Sequence, residues 1–260
     1  MNVFHRALEI AKIEGTGTLL RKAWRHALLK LDQETGILSL LLAPYTSKEF
    51  KSITSWTSAL DFVFSDNIVA LLIRPMQIRE EIAQLLRIVD ELKPRVVLEI
   101  GTARGGTLFL WTRAAAEDAL LVSIDLPGGL FGGGYARPKA VLYKHFALGK
   151  QRIELLRADS HNPNTLEKVK QLVGSKGVDF LFIDGDHRYE GVKRDYEMYS
   201  PLVRSGGVIA FHDIVPGPEE NVGGVPRFWS ELKKSLPQGR YLEIVRDWSQ
   251  GGYGIGVVFK

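Results

Sequence analysis

The chain reads as an α/β protein: a mostly parallel seven-stranded sheet closing in an antiparallel hairpin, preceded by a helical segment. Three observations predict this. From Gln77 onward, short runs of Val, Ile and Leu alternate with stretches of helical spacing. Helices of roughly 10–15 residues between strands imply βαβ units and a sheet covered on both faces. The last two apolar runs, Tyr241 to Arg246 and Gly254 to Phe259, are joined only by Asp247 to Tyr253. That joint is too short for a crossover helix, so the two pair as a hairpin and one runs antiparallel.

Residues 1–76 form the first unit, with helical periodicity and no strand alternation. Val3, Leu8, Ile10, Leu19, Leu20, Trp24, Leu28 and Leu29 interleave with Arg6, Lys12, Arg21, Lys22, Arg25 and Lys30. Such a pattern suits a helical cap whose apolar face packs on the main domain. A basic helix lying on an anionic membrane or a partner helix is the alternative. Residues 77–260 form the second unit. Gln77 to Leu92 is a helix, with Ile78, Ile82, Leu85, Val89 and Leu92 on one face, and Pro94 stops it.

The first strand is Arg95 to Ile100, with a helix from Gly106 to Glu117 behind it. The second is Leu120 to Asp125. A loop, Leu126 to Lys139, carries five glycines, and a helical stretch runs on to Leu148. The third strand is Ile153 to Arg157, with a helix over Asn164 to Val173. The fourth is Val178 to Ile183, with a helix over Tyr189 to Tyr199. The fifth is Gly207 to His212. The loop Val215 to Pro226 then leads to a helix over Arg227 to Leu236 and to the hairpin. Tyr189, Val192, Tyr196 and Tyr199 share a helical face and read as packing against the sheet.

Composition narrows the classes. With 260 residues, 45% hydrophobic and 25% charged, the chain can bury a sizeable core. It has no cysteine, which excludes disulfides and thiolate metal sites and makes a reducing cytoplasm the simplest home. A net charge of +4 permits an anionic partner without demanding one, so no nucleic acid is expected. The apolar run Ile37 to Ala43 is too short to span a bilayer, and the N-terminus lacks a signal-peptide pattern.

The densest motif is Glu99-Ile100-Gly101-Thr102-Ala103-Arg104-Gly105-Gly106. A strand runs into a glycine turn that opens a helix, at the sheet edge where α/β proteins bind ligands. Gly101 lets backbone approach a ligand closely. Asp125, ending the next strand, is placed to take both hydroxyls of a ribose. Asp159 and Ser160, past the third strand, can bond an adenine edge, and Glu99 can meet a positive group of the ligand. Thr102 and Gly105 complete the turn. The spacing predicts an adenosine-containing cofactor. Ala103 replaces the second glycine of the dinucleotide fingerprint, which argues against NAD. An oxidoreductase with a nicotinamide cofactor and a non-catalytic binding module remain the alternatives.

The second motif follows the fourth strand as Asp184-Gly185-Asp186-His187, and the third ends the fifth strand as Phe211-His212-Asp213. Neighbouring strands lie about 4.8 Å apart, so Asp184 and Asp213 can converge on one ion. Two carboxylates with a neighbouring His212 suit Mg²⁺, or Mn²⁺. A bound cation lowers the pKa of a hydroxyl nucleophile, and His187 can accept its proton. Gln77 is a further candidate to face the acceptor. Leu126 to Lys139, with Phe131, Tyr135 and Arg137, and Val215 to Pro226, leading into Arg227, Phe228 and Trp229, are candidate acceptor walls.

A five-strand parallel core ending in a hairpin is the layout of class I S-adenosylmethionine-dependent methyltransferases. The string Ile183-Asp184-Gly185-Asp186-His187-x-Tyr189-Glu190-Gly191-Val192, with Gly206-Gly207-Val208-Ile209-Ala210-Phe211-His212-Asp213, resembles the type 24 methyltransferase family. It is similar, more distantly, to the cephalosporin-hydroxylase-like and macrolide-sugar O-methyltransferases. The match covers Gln77 to Lys260. It implies a Rossmann-like fold, S-adenosylmethionine, a small-molecule hydroxyl acceptor such as a sugar or secondary metabolite, and Mg²⁺ on Asp184 and Asp213. This chain has His212 where some relatives carry Glu. Relatives often self-associate, so a homo-oligomer is expected, with the N-terminal helices as its candidate contact.

Overall fold

The structure, a computed structural model, describes residues 16–129 and 134–260. Val3, Arg6, Leu8, Ile10 and Lys12, the side chains of Leu19 to Lys22, and Phe131, Gly132 and Gly133 lie outside the described residues.

Helices α1 (Thr16–Thr35), α2 (Ile37–Ser52), α3 (Trp56–Val63), α4 (Ile68–Ile73) and α5 (Arg79–Leu92) precede the first strand. Their starts are written locally. Ser55 Oγ accepts the Ser58 N–H, and Asn67 Oδ1 accepts the Val69 N–H, each satisfying a donor that a helix start leaves open. From there the order is β1 (Val96–Ile100), α6 (Gly106–Ala114), β2 (Leu120–Asp125), α7 (Lys139–Lys144), β3 (Arg152–Arg157), α8 (Pro163–Val173) and β4 (Val178–Ile183). It continues with α9 (Tyr189–Tyr199), β5 (Val203–His212), α10 (Glu219–Val222), α11 (Val225–Ser235), β6 (Tyr241–Ile244) and β7 (Ile255–Phe259).

The seven strands lie in the order β3-β2-β1-β4-β5-β7-β6. Strands β1 to β5 are mutually parallel, while β7 runs antiparallel to both β5 and β6. The order reverses between β1 and β4, and a crevice opens there beyond the carboxyl ends of the strands. All residues of β1 and β4 are buried, as expected for central strands with both faces covered.

Two apolar layers flank the sheet. Phe50 of α2, Leu60 and Val63 of α3 and Ile73 of α4 share one core with Phe109 and Trp111 of α6 and Phe180 of β4. The other layer gathers α8, α9 and α11 around Phe211, with Tyr199 and Trp229 buried in it. Helix α6 is buried at all nine positions because it sits between the sheet and the preceding helices. Its Arg113 donates to the carbonyls of Phe50, Ile53 and Phe146, tying the end of α2 to the sheet side.

A second tie is ionic. Lys139 Nζ lies 2.7 Å from Asp32 Oδ2, with both side chains almost wholly enclosed. Asp32 also accepts the Ser39 N–H and hydroxyl. Beside it, Gln33 Nε2 donates to the Gly134 carbonyl at 3.0 Å. Helix α1 is thereby fixed to the loop that follows β2. No helix among the described residues is long and apolar enough to cross a membrane.

Candidate active site

A cavity of about 550 Å³ fills the crevice above β1 and β4. Gly101, with φ +100°, ends β1 at its floor. A Cβ there would lie 2.0 Å from the Asp184 carbonyl oxygen, so only glycine lets the β1 and β4 turns meet. The Gly101 N–H bonds to Ile124 O and the Asp184 N–H to Ile100 O, both at 2.8 Å, prolonging the ladder past the strand ends.

Asp125 lines this cavity. Its Oδ2 accepts the Ala103 N–H and its Oδ1 the Gly134 N–H, each at 2.6 Å. A carboxylate offers about four lone-pair sites, so capacity for two hydroxyls remains. Burial pushes this group up to about 6, against the pull of those backbone donors. Thr102, Asp159 and Ser160 also line the cavity. Thr102 shares a hydrogen bond with Ser123, and the Ser160 carbonyl accepts the Tyr199 hydroxyl. Asp159 Oδ1 caps the His161 N–H.

Two residues of the expected cofactor set lie elsewhere. Glu99 is wholly buried under the turn and does not line the cavity. Its Oε1 accepts from Thr107 Oγ1 at 2.6 Å and Trp111 Nε1 at 2.9 Å, and its Oε2 from Ser123 Oγ at 2.6 Å. It braces the turn from below, and burial pushes it up to about 7. Gly105 serves packing: a Cβ there would lie 2.7 Å from the Tyr143 ring.

The second cluster sits across the cavity. Asp184, His212 and Asp213 each bring a donor atom to within 4.8 Å of the others. His212 Nδ1 lies 3.2 Å from Asp184 Oδ1 and 3.4 Å from Asp213 Oδ2. His187 Nε2 is 3.4 Å from Asp184 Oδ1, and its Nδ1 is 2.5 Å from the Asn221 carbonyl. Gln77 Nε2 donates to Asp184 Oδ2 at 2.9 Å. Tyr253 N–H donates to Asp213 Oδ1 at 2.9 Å, and both residues have positive φ, a conformation non-glycine residues hold only when their surroundings enforce it.

Burial opposes charge on Asp184, yet the His212 charge and the bonds from His187 and His212 hold it well below the usual carboxylate range. Burial likewise works against a charged His212, but Asp184 and Asp213 outweigh it and hold its pKa well above the ordinary value. Two acids and an imidazole around one point form a hard-to-borderline donor set that fits a divalent cation. Without an ion, histidine protons balance the same acids, so binding one would release protons.

The acceptor walls differ in part from expectation. Leu126, Gly128 and Gly129 line the cavity, as do Glu220, Asn221 and Val222. Tyr135 instead packs against Tyr143 in the core, with Arg157 over its ring. Phe228 and Trp229 are buried against Phe211, while Arg137 is exposed and Arg227 pairs with Glu231. The remaining wall is Gly251, Gly252 and Tyr253, which sequence reasoning missed. Glu81 of α5 holds this segment by accepting from the Arg246 N–H, the Gly254 N–H and Gln250 Nε2. Arg74, Met76 and Arg104 were also missed as lining residues. A signal existed only for Arg104, which sits inside the glycine turn.

Residues 98–214 match a family described as a methyltransferase domain. An uncharacterized protein of Acanthamoeba polyphaga mimivirus is 51% identical over 116 residues, covering 45% of this chain and 50% of the relative. The chain spans half or less of the length of the curated relatives it matches. An O-methyltransferase from Bacillus cereus, solved in complex with S-adenosylhomocysteine, superposes with a TM-score of 0.54 at 22% identity, covering 85% of this chain and 97% of that one. The O-methyltransferase TomG from Streptomyces achromogenes, in complex with S-adenosylmethionine, gives 0.54 at 19% identity, covering 82% and 99%. These likenesses establish a Rossmann-like methyltransferase fold.

Proposed function

We propose, from the match of residues 98–214 to a methyltransferase-domain family, that the chain is an S-adenosylmethionine-dependent O-methyltransferase. Its acceptor is a hydroxyl of a small molecule, a sugar or secondary metabolite, and a divalent cation assists. The observation that carries this reading is the convergence of Asp184, His212 and Asp213 in the cavity that Asp125 also lines. That the two structural relatives are O-methyltransferases supports it.

When bound, the cofactor supplies an electrophilic methyl group, and a divalent ion at the acid pair supplies Lewis acidity toward the acceptor oxygen. The chain's own residues do the rest. Asp125 orients the nucleoside through its hydroxyls, with Asp159 and Ser160 on the base side. Asp184, His212 and Asp213 would hold the ion. His187 commits Nδ1–H to the Asn221 carbonyl, which makes Nε2 the nitrogen that takes the hydroxyl proton. Asp184 Oδ1, 3.4 Å from Nε2, steadies the resulting imidazolium. Gln77 fixes the Asp184 rotamer through its 2.9 Å bond. Placing nucleophile and methyl carbon in line contributes rate to such a displacement by removing the entropy of orienting them.

The test is an acceptor screen with labelled S-adenosylmethionine, run with and without chelator on the wild type and on Asp184→Ala. Transfer that chelator abolishes, and that D184A lacks while still binding S-adenosylhomocysteine, is the expected result. Turnover unchanged in D184A sinks the role given to the acid pair. Calorimetric binding of NAD in place of S-adenosylhomocysteine would transfer the chain to the oxidoreductases.

A further inference from the structure

Among the described residues, two cavity-lining cations show no acidic partner. Arg104 has no hydrogen bond and no ion pair among the described residues, although it is partly buried on the cavity wall. Arg74 donates one nitrogen to the carbonyls of Phe64 and Ser65. Its Nε is enclosed without any hydrogen-bond partner. The fold brings the two together deliberately. A Cβ on Gly106 would lie 2.2 Å from the Ile73 carbonyl and 2.6 Å from Pro75, so the missing side chain lets the segment around Arg74 close onto the turn holding Arg104. They sit near enough for Arg74, after burial, to lower the Arg104 pKa.

Of the six described acids that line the cavity, Glu220 is exposed and Asp159 caps the His161 N–H, and the other four are engaged elsewhere. Asp125 is held by backbone N–H groups, Asp184 by Gln77 and imidazole, Asp213 by Tyr253 and Asp186 by Arg188. Like charges on one half-buried wall repel and are incompletely hydrated unless an anion joins them. Planar guanidiniums match the oxygens of a carboxylate or phosphate with paired bonds.

We infer that Arg74 and Arg104 form an anion subsite on the cavity wall, built for a carboxylate or phosphate group. This rests on the reading of the cavity as a nucleoside-cofactor site. The anion has two possible sources: the amino-acid carboxylate of the cofactor, or an acidic group on the acceptor.

Three ligands separate them. S-adenosylhomocysteine carries the carboxylate, 5′-methylthioadenosine is the same thioether nucleoside without the amino-acid end, and inorganic phosphate stands for an acceptor acid. Each is measured on the wild type, Arg104→Met and Arg104→Lys, the nucleosides by calorimetry and phosphate by ³¹P line broadening on methylthioadenosine-saturated protein. Loss of a charge-assisted pair weakens binding by about tenfold or more. If R104M weakens S-adenosylhomocysteine by that much, leaves methylthioadenosine unchanged, and R104K recovers part, the subsite takes the cofactor carboxylate. If both nucleosides are unchanged and only phosphate binding disappears, it serves an acidic acceptor. Equal weakening of both nucleosides, or no change in any of the three ligands, overturns the subsite. Unchanged methylthioadenosine binding also reports that the variant is folded. If neither nucleoside binds the wild type, the cofactor reading fails by itself, and phosphate binding to the unliganded protein, kept or lost in R104M, still decides the subsite.

Discussion

Replacing Glu99 by Gln should stabilise the protein at alkaline pH and leave it nearly unchanged in mild acid. Glu99 is fully enclosed, and burial lifts its pKa from the ordinary 4.5 to about 7 despite three hydrogen bonds that favour the anion. Between these values the folded chain keeps a proton that the unfolded chain has released. The unfolded state therefore binds fewer protons, and stability falls as pH rises through the window, with the loss complete above about pH 7. At about 1.4 kcal/mol per pH unit, the span amounts to roughly 3 kcal/mol. Glutamine reproduces the protonated arrangement. Its carbonyl accepts from Thr107 and Trp111, and its amide donates to Ser123, whose hydroxyl turns toward Thr102. Urea unfolding of wild type and E99Q, followed by tryptophan fluorescence from pH 4.5 to 8.5, measures the difference directly. It should grow from near zero to roughly 3 kcal/mol in favour of E99Q. A difference that stays flat across that range refutes a buried, proton-holding Glu99.

Two further perturbations follow from the same structure. Asp125, raised to about 6 by burial, loses its charge as pH falls through that value, so S-adenosylhomocysteine affinity should weaken in acid. Asp125→Asn should bind about ten- to a hundredfold more weakly at pH 7.5, with little pH dependence; a wild-type dissociation constant that is level from pH 5 to 7.5 contradicts this. Lys139→Met leaves Asp32 charged and enclosed, which costs about 3–5 kcal/mol, and adding Asp32→Asn should restore much of it. Denaturant midpoints of the single and double variants check the pair.

The sequence made the sheet legible where punctuation is strong. Asp125 and Ile183 end strands β2 and β4, and the structure keeps both expected ranges. Strand β5 begins earlier than expected, at Val203, because Val203 pairs with Val178 of β4 before a register shift, a long-range pairing that no local pattern announces. Asp184, His212 and Asp213 converge because adjacent parallel strands end together, which spacing alone implies. Glu99 shows the limit of such reasoning. In a central strand buried on both faces, alternation cannot tell which side of the sheet a lone acid takes, and Glu99 points to the helices. Glu81 carries no signal either: on the sequence it belongs to a polar helix face, and its partners lie 165 or more residues away. Arg74 escaped for the same reason, since its neighbourhood with Arg104 exists only once Gly106 has let two distant segments meet.

The link from Gln33 through the Gly134 carbonyl, and from the Gly134 amide to Asp125, has a reach beyond the crevice. No described residue of the leading helix lines the cavity, yet through Gly134 that helix reaches the carboxylate of Asp125. On the proposed reading, in which Asp125 takes the ribose hydroxyls, changes at Gln33 should alter cofactor affinity and leave the acid cluster across the cavity in place. Grip and reaction would then be separate settings, with the dial for the first outside the chamber.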